Sequence, residues 1–159
     1  ATEAAVAMGA DFLDLHAQGG PEMIRAARDA AQKESAHIGV SAPKILAVTV
    51  LTSLEERDLH RVGVRLSPLE WVLRLSEVAI EAGADGVIAS PWEIEPLRRR
   101  FGRDLLIVVP GIRPDNRETD DQKRVMGPKE ALQRGADYIV MGRGLLKAAD
   151  PVDVLSGIE

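Results

Sequence analysis

Cysteine is missing from all 159 residues, which excludes a disulfide framework, a thiolate metal site and a cysteine nucleophile and leaves the redox compartment open. A basic excess is missing too: 20 lysines and arginines stand against 25 aspartates and glutamates, a formal net charge of −5. Such a chain has no general attraction for nucleic acid or an anionic membrane, although a local basic pocket can still hold a small anion. Residues 105–110 form one of the longest apolar runs, far short of the roughly 20 residues a membrane helix requires. No signal-peptide pattern opens the chain. No Gly-x-Gly-x-x-Gly or Walker motif occurs, so dinucleotide and nucleoside triphosphate binding have no support.

What is present reads as one soluble globular domain over residues 1–159, since separate cores appear only beyond roughly 250–300 residues. The 45% hydrophobic and 28% charged content argues against disorder. Residues 1–7 have the composition of a helix interior, with neither an initiator Met nor a good cap, and suggest a chain whose beginning is missing. Three places repeat one pattern, Gly9-Ala10-Asp11, Gly83-Ala84-Asp85 and Gly135-Ala136-Asp137, each after a helical stretch and before an apolar run. Glycine there suits the left-handed position that ends a helix, so each repeat marks a helix-to-strand connection. The runs that follow, 12–15, 86–89 and 138–141, are short and largely apolar, as strands covered on both faces should be. Runs 45–51 and 105–109 bring the strand count to five.

Helices are expected at 21–33, 68–82, 91–101, 128–134 and 150–158. The second has a strong start, with Ser67 as N-cap, Pro68 at the first position and Glu70 completing a capping box. Trp71 and Leu75 on it are assigned to core packing. Strands alternating with helices mean parallel βαβ units, in an open doubly wound sheet or in part of a (β/α)8 barrel. The connection 110–127 is long and polar, as functional or mobile loops are.

In either architecture chemistry sits where strands end. Those positions carry His16-Ala17-Gln18-Gly19-Gly20, Thr52-Ser53, Ser90-Pro91, Pro110-Gly111-Ile112-Arg113 and Gly142-Arg143-Gly144. The last two point to a phosphate: Gly142 and Gly144 let backbone approach an anion, Arg143 and Arg113 supply guanidinium groups, and a helix start adds free N–H groups. A helix cap beside a surface arginine would give the same tripeptide. His16 is read first as a hydrogen-bonded structural residue and second as a base; His37 and His60 carry no case. Asp120 and Asp121 are read as solvated or locally paired charges rather than metal ligands. Thr52 and Ser53 could cap the next helix or offer hydroxyls to a substrate. No lysine is expected in or just after any strand, so no proton-donating lysine is visible.

Five strings in this order and spacing, His16 to Gly20, Ala47-Val48-Thr49-Val50-Leu51-Thr52-Ser53, Pro110-Gly111-Ile112-Arg113-Pro114, Asp121-Gln122-Lys123-Arg124 and Tyr138-Ile139-Val140-Met141-Gly142-Arg143, resemble the orotidine 5′-phosphate decarboxylase family of bacterial type. The resemblance implies a (β/α)8 TIM barrel of which these strands are the fourth to eighth. It implies that Thr52 contacts the pyrimidine, that Gln122 bridges base and phosphate, and that Arg113, Arg143 and the Gly142 backbone hold the phosphate. It further implies a cytoplasmic, homodimeric carboxy-lyase that converts orotidine 5′-phosphate to uridine 5′-phosphate (UMP) without cofactor or metal. The family's catalytic Asp/Lys/Asp/Lys array, with its Asp-x-Lys-x-x-Asp motif, has no counterpart in the sequence and is expected upstream of Ala1.

Two departures accompany the match: Gly144 stands where the family often has proline, and Gly127 replaces the usual hydroxyl residue before Pro128. Three further expectations follow. The segment 111–126 should be a lid that orders over ligand. Five parallel strands cannot close a barrel of eight, so residues 1–159 alone should expose two sheet edges, at 12–15 and 138–141, and an open apolar interior. Residues 1–159 alone should also be almost inactive. Two rivals remain: a non-catalytic half-barrel that binds a phosphorylated ligand or a complementary fragment, and another phosphate-binding barrel such as a sugar-phosphate epimerase or decarboxylase.

Overall fold

A computed structural model describes residues 1–113 and 126–158. Its five strands, β1 (Phe12–His16), β2 (Lys44–Val48), β3 (Gly86–Ile88), β4 (Leu106–Val109) and β5 (Tyr138–Ile139), form one all-parallel sheet in sequence order. Helices α1 (Thr2–Ala7), α2 (Pro21–Ile38), α3 (Glu56–Arg61), α4 (Pro68–Glu81), α5 (Ile94–Phe101), α6 (Pro128–Arg134), α7 (Arg143–Leu146) and α8 (Pro151–Ser156) alternate with them. β1 and β5 are the sheet edges, at the places expected.

The three Gly-Ala-Asp repeats adopt one geometry. Gly9, Gly83 and Gly135 have φ of 77°, 93° and 108°. Each following alanine donates its N–H five residues back, Ala10 to Ala5, Ala84 to Ala79 and Ala136 to Ala131, at 3.1, 2.9 and 3.0 Å. This closes the helix through a left-handed residue and turns the chain into the next strand.

Alternation along each strand sorts the residues onto two faces. Ile45, Ala47, Val87, Ala89, Ile107 and Val109 join Ile24, Val72, Leu75, Ala79, Ile94 and Leu97 from the helices in one core, all buried. Fully burying such aliphatic side chains contributes about 1.5–3 kcal/mol each, which is what holds the helices on the sheet. Leu75 lies in this core and Trp71 packs against it, as expected. The other face carries Phe12, Leu46, Val108 and Tyr138, and it is concave. The rings of Phe12 and Tyr138, on the two opposite edge strands, meet edge to face with centroids 5.0 Å apart. A flat five-stranded sheet, with neighbouring strands about 4.8 Å apart, could not bring its edges together in this way.

Several boundaries differ from expectation. α2 runs on to Ile38, and Gly39 at φ 76° ends it. The expected helix at 91–101 opens with a short 3-10 turn over Pro91–Glu93 before α5 begins. α3 was not anticipated: Glu55 caps it, with its N–H donating to the Asp58 carboxylate at 3.1 Å, and glutamate is a poor cap by type. β2 starts at Lys44, so one lysine does lie in a strand. Lys44 sits at the N-terminal end, 2.9 Å from Asp85 in an ion pair, at the opposite end from the strand termini where chemistry is expected.

Candidate active site

All five strands point the same way, so their C-terminal ends gather His16, the segment after Val48, Ser90, the segment after Val109 and Gly142 along one rim. A cavity of about 250 Å3 opens there, lined by Val48, Val50, Leu51, Thr52, Ser53, Ile88, Ala89 and Pro110. Its apolar floor and hydroxyl wall fit one face of a small ring. Larger cavities of about 510 and 500 Å3 lie beside β1 and β5. They are the gaps flanking the two free sheet edges and hold none of the rim residues.

Thr52 is half-buried in the cavity wall. Because Glu55 caps α3, neither Thr52 nor Ser53 is used as the cap, and both hydroxyls remain available. Thr49 supports this turn: its N–H and its Oγ1 both donate to the Ile88 carbonyl, at 3.1 and 2.8 Å. Sequence reasoning gave Thr49 no role, although a hydroxyl inside an otherwise apolar run was the available signal.

Arg113 is only 5% exposed. Its N–H donates to the Met126 carbonyl at 3.0 Å, and Ile112 pairs with Met126 in an isolated parallel bridge. The two ends of the 113–126 connection are thereby fastened together beside β4. Gln122, Asp120, Asp121 and the expected lid fall outside the described residues.

Arg143 is exposed and begins α7, with Gly142 as its N-cap. A side chain added at Gly142 would meet nothing within 4 Å, so the backbone there faces open space of the kind an anion could occupy. The Gly142 carbonyl accepts from Leu145 and Leu146, each at 3.0 Å, which orients the first turn. Arg113 and Arg143 therefore follow neighbouring, hydrogen-bonded strands. Gly127 caps α6 with no side-chain bond, as a glycine must.

His16 ends β1 and is exposed, and its ring has no hydrogen-bond partner among the described residues. No cluster of three metal-ligating side chains exists among the described residues, and no described helix is long and apolar enough to cross a membrane.

With this geometry in place, similarity to known proteins is decisive. The family model for orotidine 5′-phosphate decarboxylase / HUMPS matches residues 1–158. The chain belongs to this family. An orotidine 5′-phosphate decarboxylase of Actinobacillus pleuropneumoniae serotype 5b is 45% identical over 159 residues, all of this chain and 67% of that protein. The one from Trichlorobacter lovleyi is 49% identical over 149 residues, 94% of this chain and 61% of that protein. The crystal structure of the Lactobacillus acidophilus enzyme superposes with a TM-score of 0.83 at 39% identity, over 99% of this chain and 65% of that one. The chain thus spans about two thirds of the length of these family members. Its curved parallel sheet is the portion of a (β/α)8 barrel that holds strands four to eight.

Proposed function

We propose that residues 1–159 act as one unit, the C-terminal part of the barrel of an orotidine 5′-phosphate decarboxylase, and supply its grip on phosphate and pyrimidine. The observation that carries this reading is the placement of Arg113 and Arg143 after two neighbouring strands, β4 and β5, in a chain matched along its length by the family. Arg143 and the Gly142 N–H hold the phosphate from one side and Arg113 from the other. Thr52 presents its hydroxyl to the pyrimidine, and Gln122 bridges base and phosphate.

The reaction releases CO2 from the base and leaves an electron pair on carbon that must be stabilised and then protonated. None of the described rim residues is a lysine, and the family's Asp-x-Lys-x-x-Asp array is assigned that step. The grip described here contributes by differential use of binding energy: contacts to the non-reacting phosphate hold the ring in place and drive closure over it. No cofactor or metal enters the scheme. The assembled enzyme is a cytoplasmic homodimer in this reading, consistent with exposed apolar side chains at Leu51, Val62 and Trp92 in the segments after β2 and β3. Light scattering tests the dimer.

UMP should raise the melting temperature, with inorganic phosphate a weak competitor. Arg143→Ala should weaken UMP binding by about 1.5–3 kcal/mol, the worth of a charge-assisted hydrogen bond. Equal stabilisation of both proteins by UMP would remove Arg143 from the site.

A further inference from the structure

The Gly-Ala-Asp repeats carry a second regularity, in the aspartates. Ahead of β3, Asp85 donates its N–H to the Ile45 carbonyl at 2.8 Å and accepts the Ile45 N–H on its carboxylate at 2.9 Å. Ahead of β5, Asp137 does the same to Ile107, at 3.0 and 2.7 Å. One aspartate thus grips both backbone groups of a single residue near the start of the preceding strand. A strand offset by one residue would present the wrong edge of its backbone to this grip, so the pair of bonds fixes register.

Asp11 is the third member. On its inner side it behaves like Asp85: the Asp11 carbonyl accepts from Lys44 at 2.9 Å, as the Asp85 carbonyl accepts from Leu106 at 3.1 Å. On its outer side lies the free edge of β1. There the Asp11 carboxylate is exposed and, with its own N–H, has no partner among the described residues. Farther along β1 lies the cavity of about 510 Å3, lined in part by Leu13, Leu15, Met23 and Ala27.

We propose that Asp11 is a positioning residue: it clamps the backbone N–H and C=O of one residue near the start of a parallel strand laid along β1. The occupant is the barrel strand that precedes β1 in the family, and this rests on the decarboxylase reading above. The matched crystal structure extends beyond the 65% of its length that this chain covers, and the two clamps already present join consecutive strands of the same barrel. The clamped residue can be of any type except proline, which has no N–H to give. Because the resemblance places the Asp-x-Lys-x-x-Asp array upstream of Ala1, in the strands that precede β1, the register that Asp11 sets is the register of catalytic groups, although Asp11 touches no substrate.

The test uses the complete barrel polypeptide, unsubstituted and as Asp11→Ala and Asp11→Asn, with three readouts: kcat, UMP affinity and amide exchange along the strand beside β1. In Asp11→Ala, kcat should fall about 10- to 100-fold, the scale of a displacement near 1 Å, with UMP affinity held. Asp11→Asn keeps an acceptor oxygen and should recover most of the loss. One amide near the start of that strand should exchange slowly in the unsubstituted enzyme and fast in Asp11→Ala. Unchanged kcat in Asp11→Ala, an equal loss of kcat and UMP affinity, or Asn no better than Ala would overturn the clamp. If Asp11→Ala does not fold, the unsubstituted protein decides, since rapid exchange of every amide at that strand start overturns it. Absence of turnover by the unsubstituted protein would instead overturn the decarboxylase reading, and exchange would still judge the clamp.

Discussion

Arg98 of α5 and Asp137, just ahead of β5, form an ion pair that is nine-tenths buried on the arginine side. The same guanidinium donates to the carbonyls of Gly135 at 2.7 Å, Gly102 at 2.9 Å and Leu105 at 2.5 Å, while the Asp137 carboxylate takes the Ile107 N–H at 2.7 Å. One planar side chain therefore ties a helix to the entrances of β4 and β5, the two strands that deliver Arg113 and Arg143.

Arg98→Ala should destabilise the protein by about 3 kcal/mol, the lower end for stripping one partner from a buried pair. Arg98→Lys should recover little, because an ammonium cannot serve four acceptors in one plane. Denaturant titration checks both, and a loss below 1 kcal/mol for Arg98→Ala would contradict the account.

Gly86 lies between Leu46 and Leu106 on the concave face. A Cβ there would come within 2.5 Å of the Leu106 carbonyl oxygen and 2.9 Å of a Leu46 methyl. Because the nearest atom is backbone, Gly86→Ala should cost about 1–3 kcal/mol through overpacking. An unchanged denaturation midpoint would show that β3 and β4 are less closely apposed than described.

Gly142 gives the opposite expectation. A Cβ there would meet only open space, so Gly142→Ala should carry none of the overpacking cost of Gly86→Ala. UMP affinity should nevertheless fall, because the added methyl occupies the approach of the phosphate to the backbone. Retained affinity would place the phosphate elsewhere.

At the start of α4, hydrogen bonds from the Ser67 side chain and backbone hold the Glu70 carboxyl below its ordinary range. A group with a lowered folded pKa contributes stability above its unfolded pKa and loses it as pH falls through the folded one. The stability difference between the unsubstituted protein and Ser67→Ala should therefore be present at neutral pH and shrink on acidification. A difference that is constant from pH 7 to pH 3 would contradict the capping-box geometry.

The repeating units were legible because their signals are local. Gly9, Gly83 and Gly135 each need a left-handed backbone, and Ser67, Pro68 and Glu70 combine into a helix start. α3 was hidden by an atypical cap at Glu55, whereas the 3-10 turn at Pro91–Glu93 has a local signal, a capping box in which the Ser90 N–H donates to the Glu93 carboxylate at 2.7 Å. At the rim, Arg113 and Arg143 could be read from their positions after apolar runs. Thr49 offered only a hydroxyl in an apolar run, and its partner, a carbonyl of β3 that is 39 residues away in sequence, could not be read. The Asp85 and Asp137 clamps were hidden for the same reason.

On the proposed function, this chain holds the substrate of a decarboxylase whose proton-donating lysine is carried by another part of the barrel. Decarboxylation of orotidine 5′-phosphate, followed as loss of orotate absorbance, tests it directly when run on residues 1–159 alone and on a polypeptide joining them to a segment with the Asp-x-Lys-x-x-Asp motif. Turnover is expected only in the joined protein, reduced in kcat/KM by about 10- to 150-fold in Arg143→Ala, the equivalent of 1.5–3 kcal/mol. Turnover by residues 1–159 alone, or equal turnover by the joined protein with and without Arg143, would contradict it.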